Sequence, residues 1–467
     1  MHPTPDLLLE HRRIAAFLDR ATEAGPPAGP GPSLDDTLAA LAALGLPPGS
    51  AVMLALSNSV HMLRLYLSAL LLGLVPLAVA PATPSARARM LAERLDVRAV
   101  ITARPDPQRY GARRLVAVPG AGAVLTEREE PSPYRAGEVL MSTSGTSGAF
   151  SACVHRVASL LRNAQRHARA VGMSENDTVL VSLPLYYSYA MVAQVLAAYL
   201  CGAQVVVSGP PFAPAGYLKQ LAEHGVTHSS VTPAIVRRLL EGSAGPPSAP
   251  RVLTVGGDRT PPEHVARLLA DRPGGELYLT YGLTEAGPRV STLAAHAEPA
   301  HRHASVGLPL PGVSVRLRER PGDGEGSGEL VVASDTALVR KISDTPSARQ
   351  SLIAPGVIAT GDVFHIDDDG YLYHRGRLSD FVMIRGEKIS LSSVRQAVHA
   401  LPGVERCVTR VRTDDDGTAF VDMEVAVSDP SPDAAHRIRR ALGSFLLPGE
   451  RPRTLTVTAA DPQVFHK

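Results

Sequence analysis

Leu34, Leu38, Leu41 and Leu44 recur at helical spacing and predict the first clear helix of the chain. Ser33 offers a capping oxygen, and Asp36, three residues on, complements the free N–H groups of the first turn. Gly45 ends the helix and Pro47-Pro48 bar its continuation. A continuous apolar run over 50–56 then predicts a buried strand, followed by a helix around 61–72 and a strand after Pro76. The alternation recurs, with a helix over 157–171 closed by Gly172, a strand over 178–185, an apolar helix over 191–200 and a strand over 204–208. A further strand-like run at 251–255 ends in Gly256-Gly257. Strands alternating with helices predict a layered α/β fold with parallel pairing.

From about residue 305 the texture changes to shorter strands between turns, at 313–317, 328–332 and 361–373, the last with Asp369-Gly370 as a turn. These predict a β-rich subdomain. The final stretch reads as helix (391–401), strand (404–411), a turn at Asp416-Gly417, strand (420–427), helix (434–446) and strand (454–458). Val421, Met423, Val425 and Val427 alternate as a half-buried strand requires. The expected organisation is a large N-terminal domain, 1–378, and a small α+β C-terminal domain, 379–467. Residues 22–32 and 243–250 read as loops. The apolar run 65–80 is interrupted by Gly73 and Pro76, so it reads as buried helix, stop and buried strand rather than as a membrane span.

Composition narrows the classes. The 467 residues are 45% hydrophobic and 20% charged, as in an ordinary globular protein. The net charge of +2 gives no reason to expect a nucleic-acid or membrane-surface partner. Cys153, Cys201 and Cys407 are scattered, which argues against a disulfide framework or zinc site and for a reducing compartment. The N-terminus lacks the apolar core of a signal peptide, so the expected location is cytoplasmic. The basic residues are nearly all arginine, the lysines being Lys219, Lys341, Lys388 and Lys467. Chemistry that needs an ammonium group therefore has few candidates.

Four segments carry candidate chemistry. Residues 142–148, STSGTSG, combine curving glycines with hydroxyls that can face phosphate oxygens, although a Ser/Gly-rich stretch also serves as a plain linker. Tyr281-Gly282-Leu283-Thr284-Glu285 follows a strand-like run, and a carboxylate at a strand's end can hold Mg²⁺ against a phosphate; the bland reading is a turn with a solvated glutamate. In Thr360-Gly361-Asp362, the aspartate can accept from both hydroxyls of a ribose. Arg377, with Asp380 nearby, offers a planar fork for phosphate or ribose, or a structural salt bridge. His296, His301 and His303 lie in an Ala/Pro/Arg-rich stretch that reads as a solvated loop.

In order and spacing these segments resemble the adenylate-forming superfamily: acyl- and aryl-CoA ligases, peptide-synthetase adenylation domains and luciferase. The family's phosphate loop TSGTTGxPKG is matched by TSGTSG at 143–148, its YGxTE by 281–285, its TGD by 360–362 and its GRxxDxxKxxGxxI by GRLSDFVMIRGEKI at 376–389. The resemblance implies that Thr143, Ser144, Gly145, Thr146, Ser147 and Gly148 bind the ATP phosphates. Gly256, Gly257 and Tyr281 would hold the adenine, with Asp258 and Gly282 also in the nucleotide-binding set. Thr284 would contact the α-phosphate, Glu285 the Mg²⁺, and Asp362, assisted by Arg377, the ribose. Tyr187, Ser188, Gly256 and Leu283 would line the substrate pocket, and Ser379 and Asp380 would form the hinge of a mobile C-terminal domain. ATP and Mg²⁺ are the implied cofactors. An acid without an α-amino group is the implied substrate, because the aspartate that pairs with an α-ammonium has no counterpart near Tyr187. CoA or a carrier-protein thiol is the implied acceptor.

The chain departs from the pattern at several points. The Pro-Lys after the phosphate loop is Phe150-Ser151, the hinge is Ser379, and Met383 stands where the hinge motif has lysine. Lys467 lies one residue short of the spacing from Pro462 that the family's adenylation lysine keeps, and it is either that cation or a frayed terminal residue. Lys388 is the reserve candidate. Two other readings stand beside ligation of a carboxylic acid: activation of another oxyacid, such as nitrite for diazotisation of an aryl amine, and a degenerate nucleotide-binding scaffold.

Overall fold

The computed structural model describes residues 9–460 apart from 26–30, 111, 113, 127, 129, 143–150, 210–211, 242–249, 320–325, 344–350, 379–380, 385–386, 400, 415–418, 432 and 447–450. Among the described residues the chain builds two eight-stranded sheets, a five-stranded sheet, a two-stranded ribbon and a three-stranded sheet, in a mixed α/β architecture.

The first large sheet is parallel from Thr22–Glu23 through Gln204–Val207, Thr178–Val181, His228–Val231 and Val252–Gly256 to Glu276–Gly282. Arg289–Ala294 and Leu308–Pro309 extend it antiparallel. The second large sheet centres on Ala51–Ala55, Val75–Ala78 and Glu138–Ser142, with Ser151–Arg156 and then Arg340–Ser343 at one edge. Both faces of Ala51–Ala55 are buried, so the run is continuously apolar as a covered parallel strand requires. Val52 and Leu54 enter one core, while Ala51, Met53 and Ala55 enter another. The first of these cores packs the helices Val60–Leu71 and Val157–Ala170 between the two large sheets.

Local signals act as expected at the helix Leu34–Ala42. Ser33 accepts from the Asp36 amide and Asp36 reaches back to Ser33, a reciprocal cap worth about 1 kcal/mol. The run 65–80 resolves into the helix Val60–Leu71 and the strand Val75–Ala78, and no helix among the described residues is long and apolar enough to cross a membrane.

Three elements differ from expectation. Thr22–Glu23, within the stretch 22–32 read as a loop, pairs as an edge strand with Val206 and Val207. The strand Thr178–Val181 stops before Pro184, which has no N–H to continue a ladder. The next helix opens as a π-helix, Tyr189–Leu196, before turning α at Ala197–Cys201. Its residues are apolar on nearly all sides, so hydrophobic period carries no sign of the wider turn.

The third sheet, with Val313–Arg318, Ser327–Ser334, Val357–Ile366 and Leu372–Arg377, is the expected β-rich unit. Beyond it, the helices Leu391–His399 and Ala434–Phe445 pack on the sheet of Val404–Thr413, Ala419–Val427 and Thr454–Ala459. The turn expected at Asp416-Gly417 lies outside the described residues.

Candidate functional site

In an open parallel sheet, ligands bind beyond the carboxyl ends of the strands. Here the strand Glu276–Gly282 is the organising element. It runs parallel to Val252–Gly256 and antiparallel to Arg289–Ala294, with Gly256 opposite Thr280 and Gly282 opposite Arg289. The register shifts between Tyr281 and Gly282, which turns the chain out of the sheet toward Thr284. Neither glycine admits a side chain: a Cβ on Gly256 would meet the Thr280 hydroxyl, and one on Gly282 the Pro288 carbonyl.

Tyr281 gathers the first cluster. Its hydroxyl donates to Asp362 Oδ2 at 2.7 Å, and Arg377 Nε lies 3.0 Å from Asp362 Oδ1. Asp362 and Arg377 face each other across neighbouring strands. The Asp362 side chain is 4% exposed and that of Arg377 51%, so the carboxylate is held in place while the guanidinium reaches solvent. Thr360 Oγ1 accepts from the Asp362 amide at 3.1 Å and fixes the local chain path. Burial, reinforced by Asp362, raises the Tyr281 phenol far above its usual range, so it stays a donor. Its ring packs against Phe364 and His374, the latter kept neutral by burial.

Glu285 centres the second cluster. It sits in the single turn Thr284–Ala286, and its Oε1 accepts from Lys341 Nζ at 2.5 Å. The two side chains are 13% and 10% exposed. Lys341 comes from the edge strand Arg340–Ser343, opposite Cys153 on Ser151–Arg156. The Leu338 amide donates to the Glu285 carbonyl at 2.8 Å, locking that edge to the turn. Thr336 Oγ1 donates to the Ala286 carbonyl, and Asn163 donates to the Arg289 carbonyl while accepting from its amide. These bonds clamp the turn on its far side. His155 is fully buried beside it, and burial pushes its pKa down to about 4 against the opposing pull of the Thr284 backbone and Glu285. It remains a neutral ring at working pH.

The pocket side comes to the same turn. Ser188 Oγ lies 3.1 Å from Thr284 Oγ1. Tyr187 packs on Tyr186 with ring centroids 4.7 Å apart, and burial raises its pKa. Leu283 borders the core beneath the third sheet, and its amide donates to the Pro288 carbonyl at 3.0 Å. Asp258 caps its own loop by accepting from the Arg259 amide at 2.7 Å.

Tyr281, Thr284, Glu285, Asp362, Arg377, Gly256 and Ser188 are therefore brought together around one strand end. Thr143, Ser144, Gly145, Thr146, Ser147 and Gly148 lie outside the described residues, as do Ser379, Asp380 and Lys467. Their flanking strands, Glu138–Ser142 and Ser151–Arg156, pair antiparallel beside Lys341. Lys388 lies on the strand Glu387–Ser390, opposite Met383.

Sequence reasoning missed Lys341 and Arg289. Lys341 is one of four lysines, but no motif contains it, and the candidates for a catalytic ammonium were Lys467 and Lys388. The residues present fit a magnesium–nucleotide. Mg²⁺ takes one or two carboxylates and completes its shell with phosphate oxygens and water. Glu285, next to Thr284 in the same turn, could provide one such carboxylate, and no cluster of three or more protein ligands occurs among the described residues.

Comparison with known proteins agrees with this geometry. The model of the family described as AMP-binding enzyme matches residues 37–339. The chain is 29% identical to a sulfoacetate–CoA ligase of Cupriavidus necator over 76% of its own length and 69% of that protein's. It is 26% identical to a salicylyl-CoA synthase / salicylate adenylyltransferase of Streptomyces sp, covering 85% and 79% of the two chains. Its fold matches O-succinylbenzoate coenzyme A synthetase from Bacillus subtilis in complex with ATP and magnesium ion, with a TM-score of 0.74 at 21% identity over 91% and 89% of the chains.

Proposed function

Because the chain belongs to the AMP-binding enzyme family, we propose that it uses ATP to adenylate the carboxylate of an organic acid without an α-amino group, and then passes the acyl group to a thiol. The observation that carries this reading is the convergence of Tyr281, Asp362 and Arg377 with Thr284, Glu285 and Lys341 at the end of one strand. Relatives named for ligating sulfoacetate and salicylate to coenzyme A support that acid class and support coenzyme A as the acceptor.

A carboxylate acylates poorly because its leaving group would be oxide. Attack of its oxygen on the α-phosphorus of ATP forms a P–O bond, expels pyrophosphate and converts that oxide into AMP. Asp362 holds the ribose, each oxygen keeping a lone pair beyond its present partner. Thr284 Oγ1 is aligned by Ser188 and donates to the α-phosphate. Bound Mg²⁺ would supply charge neutralisation on the phosphates, with Glu285 as its protein ligand. Lys341 places a cation beside that carboxylate in a chain whose counterpart of the family motif's Pro-Lys is Phe150-Ser151. Catalysis is then mainly positioning and charge stabilisation.

The test is pyrophosphate release with a panel of aryl, unsaturated and medium-chain acids, amino acids and nitrite, with mass detection of the adenylate. Release and an acyl-AMP with one organic acid are expected. Release with nitrite alone would move the substrate to another oxyacid, and ATP binding with no release from any acid would leave a nucleotide-binding scaffold.

The unit 379–467 acts in this reading as a mobile second domain. Its docking involves Arg237 on the helix Pro233–Glu241, which donates to the carbonyls of His399 and Glu405 at 3.3 Å and pairs with the Glu405 carboxylate at 3.7 Å. Arg237→Ala is expected to speed limited proteolysis near residue 379 several-fold, with little loss of melting temperature. Unchanged cleavage would remove Arg237 from the docking contact.

A further inference from the structure

Arg289 is a buried cation with no counter-ion among the described residues. The residue is 3% exposed, and among the described residues no carboxylate pairs with it. Its Nη1 donates to Thr280 Oγ1 at 2.6 Å, its guanidinium carbon lies 3.8 Å from the centre of the Tyr189 ring, and its buried Nε has no hydrogen-bond partner. A neutral hydroxyl and an aromatic face offset only part of the desolvation cost of a guanidinium, which proteins normally bury against a carboxylate.

Its position makes that imbalance informative. A Cβ built on Gly256 would lie 3.3 Å from Arg289 Nη1, so the guanidinium lies close beside Gly256, where no side chain fits. Gly256 ends the strand next to Thr280, one residue before Tyr281. Tyr189 opens the π-helix immediately after Ser188, and its hydroxyl is held by Thr254, which in turn bonds Ser230. The guanidinium is therefore fixed between Gly256, Thr280 and Tyr189, next to two of the positions, Gly256 and the neighbouring Ser188, that the resemblance assigns to the substrate pocket.

We propose that Arg289 recognises a second anionic group on the acid substrate, a carboxylate or sulfonate carried at the end remote from the carboxylate that is adenylated. This rests on the adenylation reading and deepens it. Nε and the outer amino group of the guanidinium form a fork suited to two oxygens of one anion, and the incoming group supplies the missing negative charge.

The experiment pairs acids that differ by the second anion: benzoate against isophthalate and sulfobenzoate, and butyrate against succinate. Pyrophosphate release gives kcat/KM for each, and calorimetry gives binding of the acid alone. For the wild type, the two-anion member of a pair is expected to be preferred by about 30-fold, the scale of one charge-assisted contact. In Arg289→Met that ratio collapses toward one, and the difference lies in KM. Arg289→Lys keeps the charge but not the fork, and retains a reduced preference of the same sign; it serves as the readout should Arg289→Met not accumulate as folded protein. The carboxylate and sulfonate arms show which anion fits. Equal use of both members of every pair by the wild type, or an unchanged ratio in the variants, overturns the assignment while leaving adenylation standing. Binding of a two-anion acid that depends on Arg289, without pyrophosphate release, supports the anion site and overturns adenylation. Neither binding nor release with any acid overturns both.

Discussion

Lys341→Met is expected to lower the rate of adenylate formation by about 100- to 1,000-fold, the cost of losing one placed electrostatic contact to a developing charge. The ammonium lies 2.5 Å from Glu285 Oε1, and both side chains are nearly buried. Removing one member of a buried pair leaves the other uncompensated, which costs about 3 kcal/mol. Melting temperature should therefore fall in Lys341→Met. It should largely recover in the double variant Glu285→Gln/Lys341→Met, where no lone charge remains. Activity should not recover, because both the cation and the metal-holding carboxylate are gone. The metal response gives an independent sign. With the ammonium absent, Glu285 is free for a divalent ion, so apparent Mg²⁺ affinity measured by calorimetry should rise even as turnover drops. A variant that kept full turnover, or whose Mg²⁺ affinity fell with its stability, would show Lys341 to be a structural counter-ion alone.

Lys341 also marks where sequence legibility ended. The two large α/β layers, the β-rich unit and the C-terminal helices and strands were readable because their apolar periods are strong. Asp362, Tyr281, Glu285 and Arg377 were readable because each lies in a short motif whose spacing survives. Strand order supplied the rest. Arg340–Ser343 follows the third sheet's first hairpin in sequence, yet it pairs with Ser151–Arg156 of a different sheet. That pairing carries Lys341 to Glu285 across 56 residues of chain. Arg289 was hidden differently. It lies four residues past Glu285, and only the antiparallel return onto Glu276–Gly282 turns it under Gly256. The π-helix left no mark in the pattern because an all-apolar segment has no polar face to reveal its period.

Asp362→Asn is expected to weaken ATP binding by about 100-fold, on the basis that hydrogen bonds to a charged acceptor contribute about 1.5–3 kcal/mol and each 1.4 kcal/mol is tenfold. The substitution keeps the shape, so Tyr281 still has an acceptor, but it removes the negative charge that Arg377 faces at 3.0 Å. It also replaces one carboxylate oxygen with an NH₂ group that cannot accept from a ribose hydroxyl. Discrimination against deoxy-ATP separates this from a general loosening of the cluster. The wild type should bind ATP far better than its 2′- or 3′-deoxy analogues, and Asp362→Asn should bind all three with similar weakness. Tyr281→Phe gives the complementary result. It leaves the carboxylate charged and still facing Arg377, so discrimination between ATP and the deoxy analogues persists while affinity drops less, by about tenfold for one lost hydrogen bond and a looser ring. Equal discrimination in wild type and Asp362→Asn would take the ribose away from Asp362 and reduce the buried Tyr281–Asp362–Arg377 contact to a brace between the first and third sheets.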